Sequence, residues 1–383
     1  MSRTRLPLSV AATLMAGPAM ADVPDVAVDI APVHSLVARV MEGVGTPDLI
    51  VAPGASPHEY SLRPSEASAL QEADLVFWIG PDLTPWLEDA IGTVAAGAQA
   101  TALLEVEGVT RLPIREGALF EAHAHDHGAA EAAQDGHDAE DHAHDNHGED
   151  HAHEGHDSAG HDDHGHDDDA HEDHGEDHAH GDHDSEGHDD HAHDDHAHED
   201  HAHDEAGHDD HDHGAHDPHA WLSPDNAAVW LTTIAAGLSQ ADPDNAGAYY
   251  ANATEARAEL ETLSDEIDAA LDPVRDGRFI VFHDAYQYFE EAFDLPAAGA
   301  ISISDATDPS PARVAEVRSR VAEQGVTCVL AEPQFDPGIV TAVMEGTEAG
   351  TGVLDPLGSD LAPGPELYPH LLRNLTQSLA DCL

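Results

Sequence analysis

Lysine is absent from the 383 residues. All 13 basic side chains are arginine, against 78 Asp plus Glu, and the formal net charge is -65 with histidine neutral. So little positive charge makes nucleic acid and anionic lipid poor partners. The acidic excess favours solubility and attracts cations weakly, but specifies no site. Cysteine is almost absent too. Cys328 and Cys382 are the only two, and they lack the paired spacing of a thiolate zinc site. In an oxidising compartment such a pair is most simply a disulfide, the alternative being two buried thiols. Long apolar runs are also missing. The stretch Leu6 to Ala16 is too short to cross a bilayer. It follows the basic start Ser2-Arg3-Thr4-Arg5 and precedes Ala19-Met20-Ala21, the pattern of a secretory signal cut after Ala21. No cysteine near the cut offers a lipid anchor. The mature chain is expected to be exported, soluble and not inserted in a membrane.

Histidine is what the chain has in excess. Of 34 histidines, 29 lie between His123 and His216. From Glu121 to Asp217 there are 36 Asp plus Glu, no arginine and no apolar residue larger than alanine. Such a stretch cannot bury enough surface to offset its ordering entropy, so residues 121–217 are predicted to be a disordered surface insertion. His-x-His and His-x-x-His spacings recur, as at His151 and His153 or at His193, His196 and His198. A chain that must order itself to bring imidazoles to one ion forms weak, exchangeable metal sites. Protons compete for those imidazoles near a pKa of about 6.5. The alternative is a solvated acidic tether without metal.

Outside the insertion the pattern alternates. Strands are predicted at Val26 to Ile30, Leu49 to Ala52, Asp74 to Ile79 and Thr101 to Val106. Helices are expected from Pro32, from Pro64 and over Trp86 to Ile91. After the insertion come helices over Pro224 to Leu238 and Asn245 to Leu271, the second about 40 Å long at 1.5 Å per residue. Strands at Phe279 to Phe282, Ala298 to Ile303, Val326 to Ala331 and Thr351 to Leu354 then alternate with four helices. This is an α/β chain of two lobes with mainly parallel sheets, joined by one long rigid helix. The expected boundaries are 22–120 with 218–242 for the first lobe, 243–272 for the linking helix and 273–383 for the second lobe.

Five histidines lie outside the insertion: His34, His58, His219, His283 and His370. His34 and His370 fall within helices and read as exposed or locally satisfied. His58 follows a strand and a two-proline turn, His283 follows a strand, and His219 sits in Asp217-Pro218-His219-Ala220-Trp221-Leu222-Ser223-Pro224, where folded sequence resumes. Loops after strand C-termini are where α/β sheets place ligand groups. Three imidazoles converging from different segments suit Zn2+, with water or a carboxylate as the fourth ligand. Asp355, after the last strand, is the best-placed carboxylate. Spacing alone is weak support, because single histidines far apart in sequence are common.

Five stretches carry more. Pro57-His58-Glu59-Tyr60-Ser61-Leu62-Arg63-Pro64-Ser65, Asp217 to Pro224, Phe282-His283-Asp284-Ala285-Tyr286-Gln287-Tyr288-Phe289-Glu290, Ala331-Glu332-Pro333-Gln334-Phe335 and Leu354-Asp355-Pro356-Leu357-Gly358 occur in that order. Together they resemble the periplasmic zinc-binding proteins of ABC importers, a family of metal-binding solute-binding proteins. The resemblance covers nearly the whole mature chain outside the insertion. It implies two lobes with the metal between them, ligands at His58, His219 and His283, and a disulfide between Cys328 and Cys382. Asp355 matches the aspartate that closes the site in manganese and iron relatives, a group that water often replaces in zinc members. Where some zinc members carry a glutamate before the first histidine, this chain has Pro57. The insertion matches the family's His- and Asp-rich loop in place. The implied function is capture of Zn2+ in the periplasm and delivery to an ABC-transporter membrane permease, by a monomer without turnover chemistry. Rival readings are manganese or iron import, a zinc buffer acting through the insertion alone, and a zinc hydrolase or lyase. The last lacks both a His-Glu-x-x-His helix and a Gly-x-Ser-x-Gly elbow.

Overall fold

Along a strand successive side chains face opposite ways, and the central strands of this chain fill both directions with apolar groups. That is the pattern of a parallel sheet covered on both faces. The computed structural model describes residues 23–115, 117, 120, 216–302 and 309–383. The expected signal, His151, His153, His193, His196, His198 and the insertion apart from His216 and Asp217 lie outside the described residues.

The first sheet comprises β1 (Val26–Val28), β2 (Asp48–Leu49), β3 (Leu75–Trp78) and β4 (Gln99–Ala102), in the order β2-β1-β3-β4. Every pair is parallel. Val26, Val28, Leu75 and Phe77 face one core, while Ala27, Val76 and Trp78 face a second. Helix α1 (Ala31–Val40) covers the first face. The second is covered by α2 (Pro64–Glu72) and α3 (Pro85–Val94). The strand expected at Thr101 to Val106 is displaced: it ends at Ala102, and Leu103–Glu105 forms a 3-10 turn. Leu103 and Leu104 are both buried, which a strand open on one face would not do for neighbouring side chains.

The second sheet repeats the plan with β5 (Phe279–His283), β6 (Gly299–Ser302), β7 (Cys328–Ala331) and β8 (Gly350–Val353), in the order β6-β5-β7-β8 and all parallel. Phe279, Val281, Cys328 and Leu330 face the core shared with the first sheet. Ile280, Phe282 and Val329 pack outward with Val317 and Val321 of α7 (Pro311–Gln324) and Val340 and Val343 of α8 (Pro337–Met344). The shared core is continuous from Val26 to Leu379, and it runs through α4 (Pro224–Ala241), α5 (Ala246–Leu271) and α9 (Leu367–Cys382).

The 26 residues of α5 carry a single buried stripe, Tyr249, Ala253, Ala256, Leu260, Leu263, Ile267 and Leu271. Steps of three and four keep that stripe on one side of the helix. It lies against α1, α4 and α9, so one helix spans elements of both halves. A disulfide joins Cys328 of β7 to Cys382 at the end of α9, with Cα atoms 5.7 Å apart and a sequence separation of 54. Closing a loop of that length stabilises by about 4 kcal/mol in the chain-entropy model.

Candidate metal centre

Each sheet reverses its order between two neighbouring strands, β1 and β3 in the first, β5 and β7 in the second. The C-terminal mouth of such a pair is where open α/β sheets hold ligands. His283 is the last residue of β5 and lies at the second of these mouths. Its side chain is buried. Across the mouth, just past β7, stands Glu332, also buried. One oxygen, Oε1, accepts from the backbone N–H of His283 at 3.1 Å and faces His283 Nδ1 at 2.6 Å. The other, Oε2, accepts from Gln334 Nε2 at 2.9 Å.

His219 is held the same way by a different carboxylate. Asp217 Oδ1 accepts from the His219 backbone N–H at 3.0 Å and faces its Nδ1 at 2.7 Å. Burial pushes the Asp217 carboxyl up to about 7, opposed by the His219 N–H and by the positive charge of Arg115. The segment around it is fixed by bonds to residues distant in sequence. Trp221 Nε1 donates to the carbonyl of Pro356 at 2.7 Å, and the Tyr368 hydroxyl donates to the carbonyl of Trp221 at 2.8 Å. Ser223 then caps α4 by accepting from Asn226 N at 3.3 Å. Where the backing carboxylate is ionised it only accepts, so that Nδ1 carries the proton and Nε2 presents a lone pair. This is how metal-ligating imidazoles are oriented.

His58 comes from the loop between β2 and α2 and is half-buried, whereas its neighbour Glu59 is exposed. The loop is tied down by Trp86 of α3, whose Nε1 donates to the carbonyl of Pro57 at 2.8 Å. It is also tied by Tyr60, whose hydroxyl donates to Glu66 Oε1 at 2.7 Å.

The structure brings the three imidazoles side by side. Ring centroids of His58 and His219 are 5.5 Å apart, and those of His219 and His283 are 5.3 Å apart. Imidazoles that share one tetrahedral zinc at about 2.0–2.1 Å per nitrogen have their centroids roughly 5 Å apart. Trp221 packs on His219 at 5.2 Å, and Phe335 on His283 at 5.7 Å, edge to face. Among the described residues, no group of three or more His, Cys, Asp or Glu side chains meets the geometry of a formed metal site. The rings are adjacent, with their donor atoms not drawn to one point.

Asp355 is placed differently. Its Oδ1 accepts from Leu357 N and Gly358 N, each at 3.0 Å, and its Oδ2 from Ser359 N and Ser359 Oγ, each at 2.6 Å. These four bonds occupy the four lone-pair directions of a carboxylate. Asp355 therefore fixes the 355–359 turn. The two histidines given a local reading lie elsewhere: His34 is buried on α1 with Nε2 donating to the carbonyl of Pro47 at 3.1 Å, and His370 is exposed on α9. Sequence reasoning gave no role to Asp217 or Glu332. The only signals were a carboxylate two residues before His219 and another just past a strand predicted to lie in the second sheet.

Solved structures share this fold of two parallel sheets. A crystal structure of ZnuA matches with a TM-score of 0.61 at 22% identity, covering 94% of this chain and 99% of that one. The solute-binding protein FpvC of Pseudomonas aeruginosa in complex with Mn2+ matches with a TM-score of 0.63 at 16% identity, covering 94% and 98%. Sequence goes further. Residues 26–382 match the family described as ZnuA, zinc-uptake complex component A periplasmic. The chain is 43% identical over 358 residues to the high-affinity zinc uptake system protein ZnuA of Brucella abortus (strain 2308), covering 94% of this chain and 91% of the relative. It is 42% identical over 379 residues to the ZnuA of Paracoccus denitrificans (strain Pd 1222), covering 99% and 97%. The chain belongs to the ZnuA family. No helix among the described residues is long and apolar enough to cross a membrane.

Proposed function

We propose that this protein captures Zn2+ in the periplasm through Nε2 of His58, His219 and His283 and hands it to an ABC-transporter permease, without turnover chemistry. The observation that carries the reading is the pair of carboxylate-backed imidazoles, His219 with Asp217 and His283 with Glu332, beside the His58 ring. Two of the three proposed ligands are thereby held in place before the ion arrives. Rings already held beside one another leave less to order when the ion binds. Water takes the fourth position, since the Asp355 oxygens are engaged in their own turn. Membership of a zinc-uptake family and the 43% identity to a high-affinity zinc uptake protein support zinc over manganese or iron.

The test is a zinc titration of three proteins: wild type, a chain lacking residues 126–209, and His283→Ala. The cut stops short of Asp217 because that residue holds His219. One tight ion is expected in the first two and none in the third. Loss of the tight ion on removing 126–209 would assign capture to the insertion instead.

A further inference from the structure

We propose that Arg115 is a positioning residue for cation capture, a clasp that fixes the His219 segment against the His283 segment; this rests on the capture reading above. Arg115 and His219 are far apart in sequence but belong to one structural strip. Pro113 and His216 form an antiparallel bridge, Asp217 N donates to the carbonyl of Leu112 at 2.8 Å, and Asp217 in turn holds His219. The Arg115 guanidinium leaves that strip and grips the other side. Nε bonds both oxygens of Asp284, the residue after His283, at 3.0 and 3.1 Å, and Nη2 also bonds Asp284 Oδ1. Nη1 and Nη2 bond the two oxygens of Glu290 on α6 (Gln287–Ala292) at 2.8 and 2.9 Å. Phe120 covers the guanidinium from above, with its ring centroid 3.7 Å from Cζ.

The three charged side chains are at most 15% exposed. Ion pairs that deep gain little net stability, because desolvation offsets their attraction. What a planar fork held by two carboxylates does supply is alignment. Glu290 is itself anchored, since its Oε2 accepts from Ala297 N at 3.0 Å. A second link runs parallel to the first. The buried Tyr288 hydroxyl accepts from Leu112 N at 3.0 Å and donates to the carbonyl of Asp217 at 2.9 Å. The clasp and this link span the same two segments, so the relative placement of His219 and His283 is set by groups outside the ligand cluster.

The experiment compares full-length wild type, Arg115→Gln combined with Asp284→Asn, Arg115→Lys and His283→Ala. Pairing the first two changes avoids stranding a buried Asp284, while Glu290 keeps its bond from Ala297 N. Three quantities are read: the melting temperature of the metal-free protein, zinc affinity by chelator competition, and the visible bands of one equivalent of Co2+ as a difference from His283→Ala. Expected for the double variant are shifted Co2+ bands and zinc binding weakened about 10-fold or more, as for loss of groups that orient ligands. Lysine keeps the charge but not the fork, so Arg115→Lys should fall between the two. Wild-type bands together with affinity within twofold in a folded double variant would overturn the proposal. So would an affinity loss that follows the melting temperature while the bands stay as in wild type. If the double variant does not fold, Arg115→Lys carries the same two readings. A wild type with no His283-dependent bands would instead overturn the capture reading.

Discussion

The two sheets share a strand order and differ at its reversal point. In each, a carboxylate beside one strand accepts a backbone N–H from the strand across the crevice. In the first sheet Asp29, just past β1, takes Ile79 N at 2.7 Å and Ile30 N at 2.8 Å, and both its oxygens end on backbone. In the second, Glu332 beside β7 takes His283 N and also His283 Nδ1. The topology thus offers a ligand mouth twice. The first is plugged by its own backbone, while the second orients an imidazole. Position in the fold offers a site in both sheets, and only the second strand ends in a side chain suited to the proposed capture.

Substitutions can break this contrast. The largest effect on binding is expected at the second mouth: His283→Ala should weaken tight zinc binding by more than about 100-fold in chelator competition, since it removes a proposed ligand rather than a group behind one. Asp29→Ala should leave zinc affinity unchanged, and an equal loss there would erase the distinction between the two mouths. Glu332→Gln keeps an acceptor near Nδ1 but loses the charge, so a loss of about 10-fold is expected.

The halves also differ in covalent support. Replacing Cys328 and Cys382 together with serine should cost about 4 kcal/mol in denaturant unfolding. Faster hydrogen exchange should then appear in β7 and α9 rather than in β1 and β3. A uniform change across both sheets would argue against local anchoring.

Asp29 allows a test by pH. Burial pushes its carboxyl from 3.8 up to about 7, against the backbone bonds that hold it down. The folded state then holds a proton that the unfolded state has already released. The stability this proton confers is full below pH 3.8 and is lost as pH rises through 7. Between pH 5 and 8 wild type should lose on the order of 2 kcal/mol relative to Asp29→Asn, read from paired urea titrations. Parallel pH profiles for the two proteins would refute this. The smallest effect is expected at Asp355→Asn. Zinc affinity should change by no more than about threefold, the scale of one lost hydrogen bond, and a loss like that of His283→Ala would make Asp355 a ligand.

Much of this architecture was legible in the sequence because local pattern determines it. The apolar run over Asp74 to Ile79 marks β3, and the three-four spacing from Tyr249 to Leu271 marks α5. Leu103 and Leu104 misled because a short apolar run fits a turn as well as a strand. His58, His219 and His283 are grouped weakly by their settings at strand ends and at the return of folded sequence, and firmly only through the five matching stretches. The supporting groups were hidden by distance: Glu332 lies 49 residues from His283, and Arg115 lies 169 residues from Asp284 and 175 from Glu290. No window along the chain shows such pairs, because parallel crossovers bring them together only once both sheets have formed.

The bridge between Pro113 and His216 has one more effect. It sets the exit and return of the acidic stretch next to each other, so the number of residues spliced in at that seam does not enter the geometry on either side. A change in the number of residues between them would then leave that pairing, and the His219 segment it carries, where they are.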